Sequence, residues 1–270
     1  MFLLRIALLK FSSLLFLFLI VALSAQSRKS TLERIIQRDT LILGTAGDYP
    51  PFSAVTKSGT VIGFDIDLAQ QIADALGVTL RIDLLSFNEL ISSVENGTID
   101  FAASGITITP LRNVKILFVG PYYTSGKSLL TKNYHIGLSG TDASANKIVV
   151  VKGTTSADVA ADQFAGATLV KVNDFDEGIK LLLAGKVTAL VADFPYCSVI
   201  SYHYRDRGIS KPQETFSFEP IGIAINKDSY HFANWVQNFL INLEGSGELK
   251  ELNEKWFADM SWVSQLQDLP

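Results

Sequence analysis

The sequence predicts an α/β protein of two lobes, each a central, mostly parallel sheet flanked by helices. Three observations carry this. Residues 40–104 alternate strand and helix, residues 147–193 repeat the alternation, and the two blocks share an internal register. The first block opens on TLILGT, an apolar run of strand length. VIGFDIDLAQQIADALG then reads as a strand end and a helix. Asp67 suits the N-cap, Leu68, Ile72, Ala75 and Leu76 share one face, and Gly77 ends the helix. VTLRIDLL places Val78, Leu80, Ile82 and Leu84 at the period of a half-buried strand. NELISSVENG is a second helix stopped by Gly97, and IDFAAS is a buried strand. Strand, helix, strand, helix, strand is the pattern of a parallel, doubly wound sheet.

The second block reads KIVVVKGTTSADVAADQFAG as strand, turn and helix, and ATLVKV as a strand. DFDEGIKLLLAG is a helix with Ile179, Leu182 and Leu183 inward, and its acids suit a helix N-terminus. VTALVAD is the next strand. The last fifty residues carry an IGIAI strand and the amphipathic helices HFANWVQNFLINLEG and ELKELNEKWF, and QSRKSTLERIIQRD forms a polar lead-in with a short helix. The shared register is specific. Gly97 and Gly185 each stop a helix and precede a strand, and eight residues later come Gly105 and Asp193. Both fall at the carboxyl end of a central strand, the edge where open α/β sheets bind ligands.

Composition sets the compartment. Arg5 and Lys10 precede FSSLLFLFLIVALSA, an uncharged run of signal-peptide length, and Ala22, Ser24 and Ala25 suit cleavage. Residues 1–25 are therefore expected to be a removed leader, the alternative being a retained anchor. The net charge of −4 becomes two units more negative without that leader, which offers no footprint for nucleic acid. Cys197 is the single cysteine, so no intrachain disulfide forms and the core must stabilise itself. A monomer in the bacterial envelope is expected.

GITITPLR is the motif richest in chemistry. Gly105 lets backbone approach a ligand, Thr107 offers a hydroxyl, and Thr109 with Pro110 forms an N-cap and first helical position. Arg112, in that first turn, can present its planar fork to a carboxylate. The equally open alternative is a capped helix whose arginine pairs with a surface acid. Asp193, ending VTALVAD, can hold an ammonium group or simply cap the helix beginning near Pro195. GTTS, residues 153–156, is a hydroxyl-rich turn that binds an anion or merely caps a helix, and it lacks the Gly-Lys pair of a nucleotide loop. Tyr49, Phe52 and Phe87 are aromatic walls or core. His135, His203 and His231 have no metal-ligand spacing, no cofactor pattern is present, and Cys197 reads as packing.

In this order the motifs GTAGDYPPF, GFDIDLAQQIADALG, GITITPLR with GPYYTSG, VVKGTTS, ALVAD and LKELNEKWF resemble the bacterial extracellular solute-binding proteins of family 3. These are the periplasmic amino-acid receptors of ABC importers, and the resemblance spans residues 40–260. It implies a two-lobed, type II periplasmic-binding-protein-like fold. Lobe 1 would take residues 40–122 and 221–265, and lobe 2 residues 127–216, with crossings near Tyr122–Gly126 and Phe216–Pro220. It also implies that Arg112 binds a ligand carboxylate, Asp193 its ammonium, and Gly105, Thr107 and Thr155 further hydrogen bonds. Tyr49 and Phe87 would sandwich the ligand, and an inner-membrane permease would be the partner.

Ala46 departs from relatives that bind basic amino acids, which carry an acid there, so a polar or neutral amino acid is expected. The rival comes from another class. The cyclohexadienyl dehydratases share a similar GDYxPF opening, and their chemistry needs a carboxylic proton donor of raised pKa. Those enzymes are expected to carry glutamate where this chain has Asp193 and asparagine within the KGTTS loop.

Overall fold

The computed structural model describes residues 29–132, 146–211 and 214–269. The expected leader and His135 lie outside them. In chain order the elements are α1 (Thr31–Arg38), β1 (Thr40–Thr45), β2 (Asp48–Tyr49), β3 (Ser53–Val55), β4 (Val61–Ile62), α2 (Phe64–Leu76) and β5 (Thr79–Leu84). Then come α3 (Phe87–Asn96), β6 (Phe101–Ala102), α4 (Pro110–Asn113), β7 (Ile116–Ser125), β8 (Lys127–Lys132), β9 (Lys147–Val151) and α5 (Thr155–Gln163). The chain finishes with β10 (Thr168–Val172), α6 (Phe175–Leu183), β11 (Ala189–Asp193), α7 (Phe194–His203), β12 (Ile209–Ser210), β13 (Glu219–Asn226), α8 (Tyr230–Ser246) and α9 (Glu248–Asn253).

Two five-stranded sheets organise these elements. Their orders are β5-β1-β6-β13-β7 and β10-β9-β11-β8-β12, with β2-β3-β4 a small separate sheet. Each large sheet is mixed rather than mostly parallel. In the first, β5, β1 and β6 run parallel while β13 opposes both β6 and β7. In the second, β10, β9 and β11 run parallel while β8 opposes both β11 and β12. The reason is connectivity. Strands that carry the chain between sheets arrive from the far side, without the crossover helix that parallel pairing requires. The chain leaves the first sheet after Ser125 and returns to it at Glu219, which pair side by side.

Local corrections follow packing. Helix α2 starts at Phe64 with Gly63 at its N-cap, not at Asp67, because a Cβ at 63 would meet the Phe52 carbonyl oxygen at 2.2 Å. Asp67 instead binds Lys255 Nζ at 2.6 Å and Trp256 Nε1 at 2.7 Å, tying α2 to the C-terminal segment. The buried face of α2 is Phe64, Leu68, Ala69, Ile72 and Ala73, while Ala75 points to solvent. In α6, Ile179, Leu182 and Leu183 are buried, and each contributes roughly 1.5–3 kcal/mol of transfer free energy. Among the described residues no helix is long and apolar enough to cross a membrane.

Candidate functional site

Two strand-to-helix junctions, one per sheet, face each other. After β6 the chain turns through Gly105 at φ +60°, the left-handed region that favours glycine. A Cβ there would press on the Tyr49 and Phe52 rings at 3.0 Å. Asp65, fully buried at the start of α2, holds this turn from behind. Its Oδ2 accepts the Gly105 N–H at 2.9 Å and its Oδ1 the Tyr122 hydroxyl at 2.7 Å. Burial pushes the Asp65 carboxyl up to about 7 despite those two bonds. Thr109 then caps α4, its hydroxyl accepting the Arg112 N–H at 3.2 Å, with Pro110 first in the helix.

That cap aims Arg112. Nη1 donates to the Thr107 carbonyl at 2.8 Å and Nη2 to the Gly153 carbonyl at 2.9 Å, across the divide between sheets. The guanidinium carbon lies 5.5 Å from the Phe87 ring centroid, in cation–π range. Burial pulls the guanidinium below its ordinary range, against the upward pull of Glu219, Asp193 and Asp158. A guanidinium has five N–H donors, so two carbonyl bonds leave most of the fork for another acceptor.

At the second junction Asp193 ends β11 at the N-cap of α7, yet its side chain makes no capping bond. Its Oδ2 accepts the Tyr49 hydroxyl at 2.5 Å and Lys127 Nζ at 2.9 Å. Tyr49 in turn accepts the Asp193 N–H at 2.9 Å, and its ring stacks on Tyr196 with centroids 4.8 Å apart. Asp193 is 1 % exposed, and its Oδ1 is buried with no hydrogen-bond partner among the described residues. A buried carboxylate oxygen without a donor is costly unless something else supplies one.

Behind this pair stands Glu219, 3 % exposed, at the head of β13. Its Oε2 lies 3.6 Å from Lys127 Nζ and accepts the hydroxyls of Thr107 at 2.7 Å and Thr155 at 2.9 Å, while Ser217 donates to Oε1 at 3.0 Å. Burial pushes the Glu219 carboxyl up, but Lys127 and the three hydroxyls outweigh it, and the group titrates below the usual range.

Tyr49, Phe87, Gly105, Thr107, Arg112, Thr155 and Asp193 all line one cavity of about 10 Å³, room for roughly one water, so a larger occupant needs its walls to part. The structure therefore brings these seven positions together, and it adds bonds the sequence did not suggest. The Thr107 and Thr155 hydroxyl protons go to Glu219, so these side chains face the cavity as acceptors. Tyr49 adds a hydroxyl to its aromatic wall by holding Asp193. Phe52 sits in the core and Cys197 is buried, its thiol pushed up by burial. Asp174 caps α6 by accepting the Glu177 N–H at 2.7 Å, as the DFDEG pattern suggests. Lys127 and Phe175 also line the cavity and were not singled out from sequence. Glu219, the partner of Lys127, was missed as well. One signal was available: Lys127 and Glu219 are charged residues heading otherwise buried strands, KSLLTK and EPIGIAIN.

The arrangement is a small, partly open cavity lined by a cation fork and an under-coordinated carboxylate. Among the described residues no cluster of three His, Cys, Asp or Glu could hold a metal ion. The family model for bacterial extracellular solute-binding proteins, family 3, matches residues 41–259. The L-cystine-binding protein TcyJ of Escherichia coli is 28 % identical over 229 residues, covering 84 % of this chain and 86 % of that protein. The cyclohexadienyl dehydratase of Pseudomonas aeruginosa is 28 % identical over 242 residues, covering 88 % and 90 %. The crystal structure of the ancestral amino acid-binding protein AncCDT-1, a precursor of cyclohexadienyl dehydratase, aligns with a TM-score of 0.77 at 34 % identity. It covers 84 % of this chain and 100 % of that one.

Proposed function

Because the chain belongs to the bacterial extracellular solute-binding proteins, family 3, we propose that it captures one polar or neutral amino acid between its lobes in the periplasm and delivers it to an ABC importer. One observation carries this: Asp193, whose buried Oδ1 has no hydrogen-bond partner among the described residues, lines the same small cavity as Arg112. An α-ammonium supplies the donor that oxygen lacks, and an α-carboxylate takes the remaining guanidinium N–H groups as parallel charge-assisted bonds. Tyr49 and Phe87 flank the ligand, with the Gly105 turn beneath. Closing the chamber expels water, which strengthens both pairs as the local dielectric falls.

Binding without turnover fits the carboxyl inventory. The carboxyls that burial lifts most, Asp48 to about 6 and Asp65 to about 7, line no part of this cavity. Glu219 is held low by Lys127 and its hydroxyl donors after burial has raised it. A dehydratase needs a protonated acid aimed at the leaving hydroxyl, and Asp193 is committed to an ion pair.

A thermal-shift screen of the purified protein against the twenty amino acids tests the reading. A saturable rise in Tm with at least one uncharged amino acid is expected, about 2.7 kcal/mol of stabilisation at a hundredfold excess over Kd. No shift at millimolar concentrations would overturn it. So would phenylpyruvate formed above background from prephenate.

A further inference from the structure

Three charged side chains line this cavity, Arg112, Lys127 and Asp193, and a fourth, Glu219, stands behind them against Lys127. An ammonium–carboxylate ligand needs two of them. The remaining two, Lys127 and Glu219, are 2 % and 3 % exposed and stand 3.6 Å apart. We propose that this buried pair fixes the net charge of the ligand, so that the site takes an amino acid with an uncharged side chain and rejects cationic and anionic ones. The inference rests on the amino-acid reading and adds a selection rule to it.

The geometry supports the pairing. Asp193 shares one oxygen, Oδ2, between Tyr49 and Lys127, and keeps Oδ1 for a ligand donor. Lys127 is thereby placed between two carboxylates, at 2.9 Å from Asp193 and 3.6 Å from Glu219. Glu219 receives three hydroxyl donors besides Lys127, so it stays ionised. With an uncharged side chain in place, every charge has an opposite: Arg112 with the ligand carboxylate, Asp193 with the ligand ammonium, Lys127 with Glu219. A lysine or arginine ligand would bring one positive charge too many among these buried groups, and an aspartate or glutamate ligand one negative charge too many. An uncompensated buried charge is expensive, so about a hundredfold loss of affinity is expected either way.

This also answers whether Lys127 grips an anionic side chain itself. Its charge is already met by two carboxylates, so a third would leave the chamber negative. Lys127 therefore acts as a counter-ion built into the wall. Removing it should not abolish binding but invert the preference. Asp193 and Glu219 would then offer two negative charges to one ligand.

The test is isothermal titration of the wild type, Lys127→Met, Glu219→Gln and the double variant against glutamine, serine, lysine, arginine, glutamate and aspartate. The wild type should prefer an uncharged member about a hundredfold over every charged one. Lys127→Met should move the preference toward lysine and arginine, and Glu219→Gln toward glutamate and aspartate. The double variant, balanced again, should return to uncharged side chains. If Lys127→Met does not fold, the nearly isosteric Glu219→Gln carries the test alone through its opposite shift. A wild type that favours a charged side chain, or single variants that keep the wild-type order, would overturn the inference while leaving the receptor reading intact. A wild type that binds no amino acid at all would overturn the receptor reading itself.

Discussion

The two junctions that face each other across the cavity share a local plan and use it differently. Each ends a strand, places a capping residue, and follows with proline in the first helical turn. In the first, Thr109 does what its position asks and accepts the Arg112 N–H at 3.2 Å. In the second, Asp193 leaves the cap unmade, and its carboxylate turns to Tyr49 and Lys127. The difference is one of charge. A neutral hydroxyl gains about as much from a cap as from anything else in reach. A buried carboxylate gains more from an ammonium and a phenol, because charge-assisted bonds are roughly twice as strong as neutral ones. The α7 N-terminus loses little, since Gly126 accepts the Phe194 N–H at 2.9 Å and the carboxylate still sits near the positive end of the helix.

The largest expected effect follows from that contrast. Asp193→Ala takes from Lys127 the nearer of its two carboxylates and from the Tyr49 hydroxyl its acceptor, both groups almost fully enclosed. It should cost about 3–5 kcal/mol of folding stability in urea titrations, along with all ligand-induced stabilisation. Arg112→Ala should also lose the ligand response but cost distinctly less stability, because that side chain is only partly buried. Equal destabilisation by the two would mean that Asp193 is no more than a helix residue.

Which parts of this were legible beforehand depends on the distance over which the signal acts. The Thr109–Pro110 cap and the glycine stop at Gly97 are decided within a few residues, and the sequence pattern reads them directly. Gly105 and Asp193 were visible as matching strand ends. Lys127 and Glu219 were not, because their meaning lies in pairing. Lys127 stands directly opposite Asp193 in the β8–β11 register, and Glu219 opposite Ser125 in the β7–β13 register. Those partners lie far apart along the chain, and no periodicity connects them. The same long-range crossings make the sheets mixed where local alternation suggested parallel ladders. At Asp67 the local signal was present and lost. The close approach of Phe52 to Gly63 places the cap of α2 four residues earlier.

The second effect sharpens the first junction through pH. Asp65, behind Gly105, has its carboxyl raised from 3.8 to about 7, chiefly by burial. The folded state therefore binds its proton more tightly than the unfolded state. Its contribution is fully present below about pH 4 and is lost as pH rises towards 7. Asp48, raised to about 6 by burial, adds the same sign over a narrower window. Unfolding free energy from these groups should fall by on the order of a few kcal/mol across that range. Asp65→Asn can still accept the Gly105 N–H, so it should fold and flatten much of the slope. An unchanged slope in the variant would remove Asp65 from this role.

The smallest effect asks whether the Thr109 cap matters to binding or only to the helix. Helix α4 is four residues long, and the capped N–H belongs to Arg112 itself. In a helix this short the cap fixes the backbone from which the guanidinium projects. Thr109→Ala should cost about 1 kcal/mol of stability. It should also weaken amino-acid binding by several-fold, because the fork loses part of its preorganisation before it meets a carboxylate. Titration calorimetry separates the outcomes. A stability loss with unchanged affinity would show that the bonds from Arg112 to the Thr107 and Gly153 carbonyls hold the fork without help. A loss in both would make the two junctions alike in purpose: one aims its charge through a cap, the other by giving its cap up.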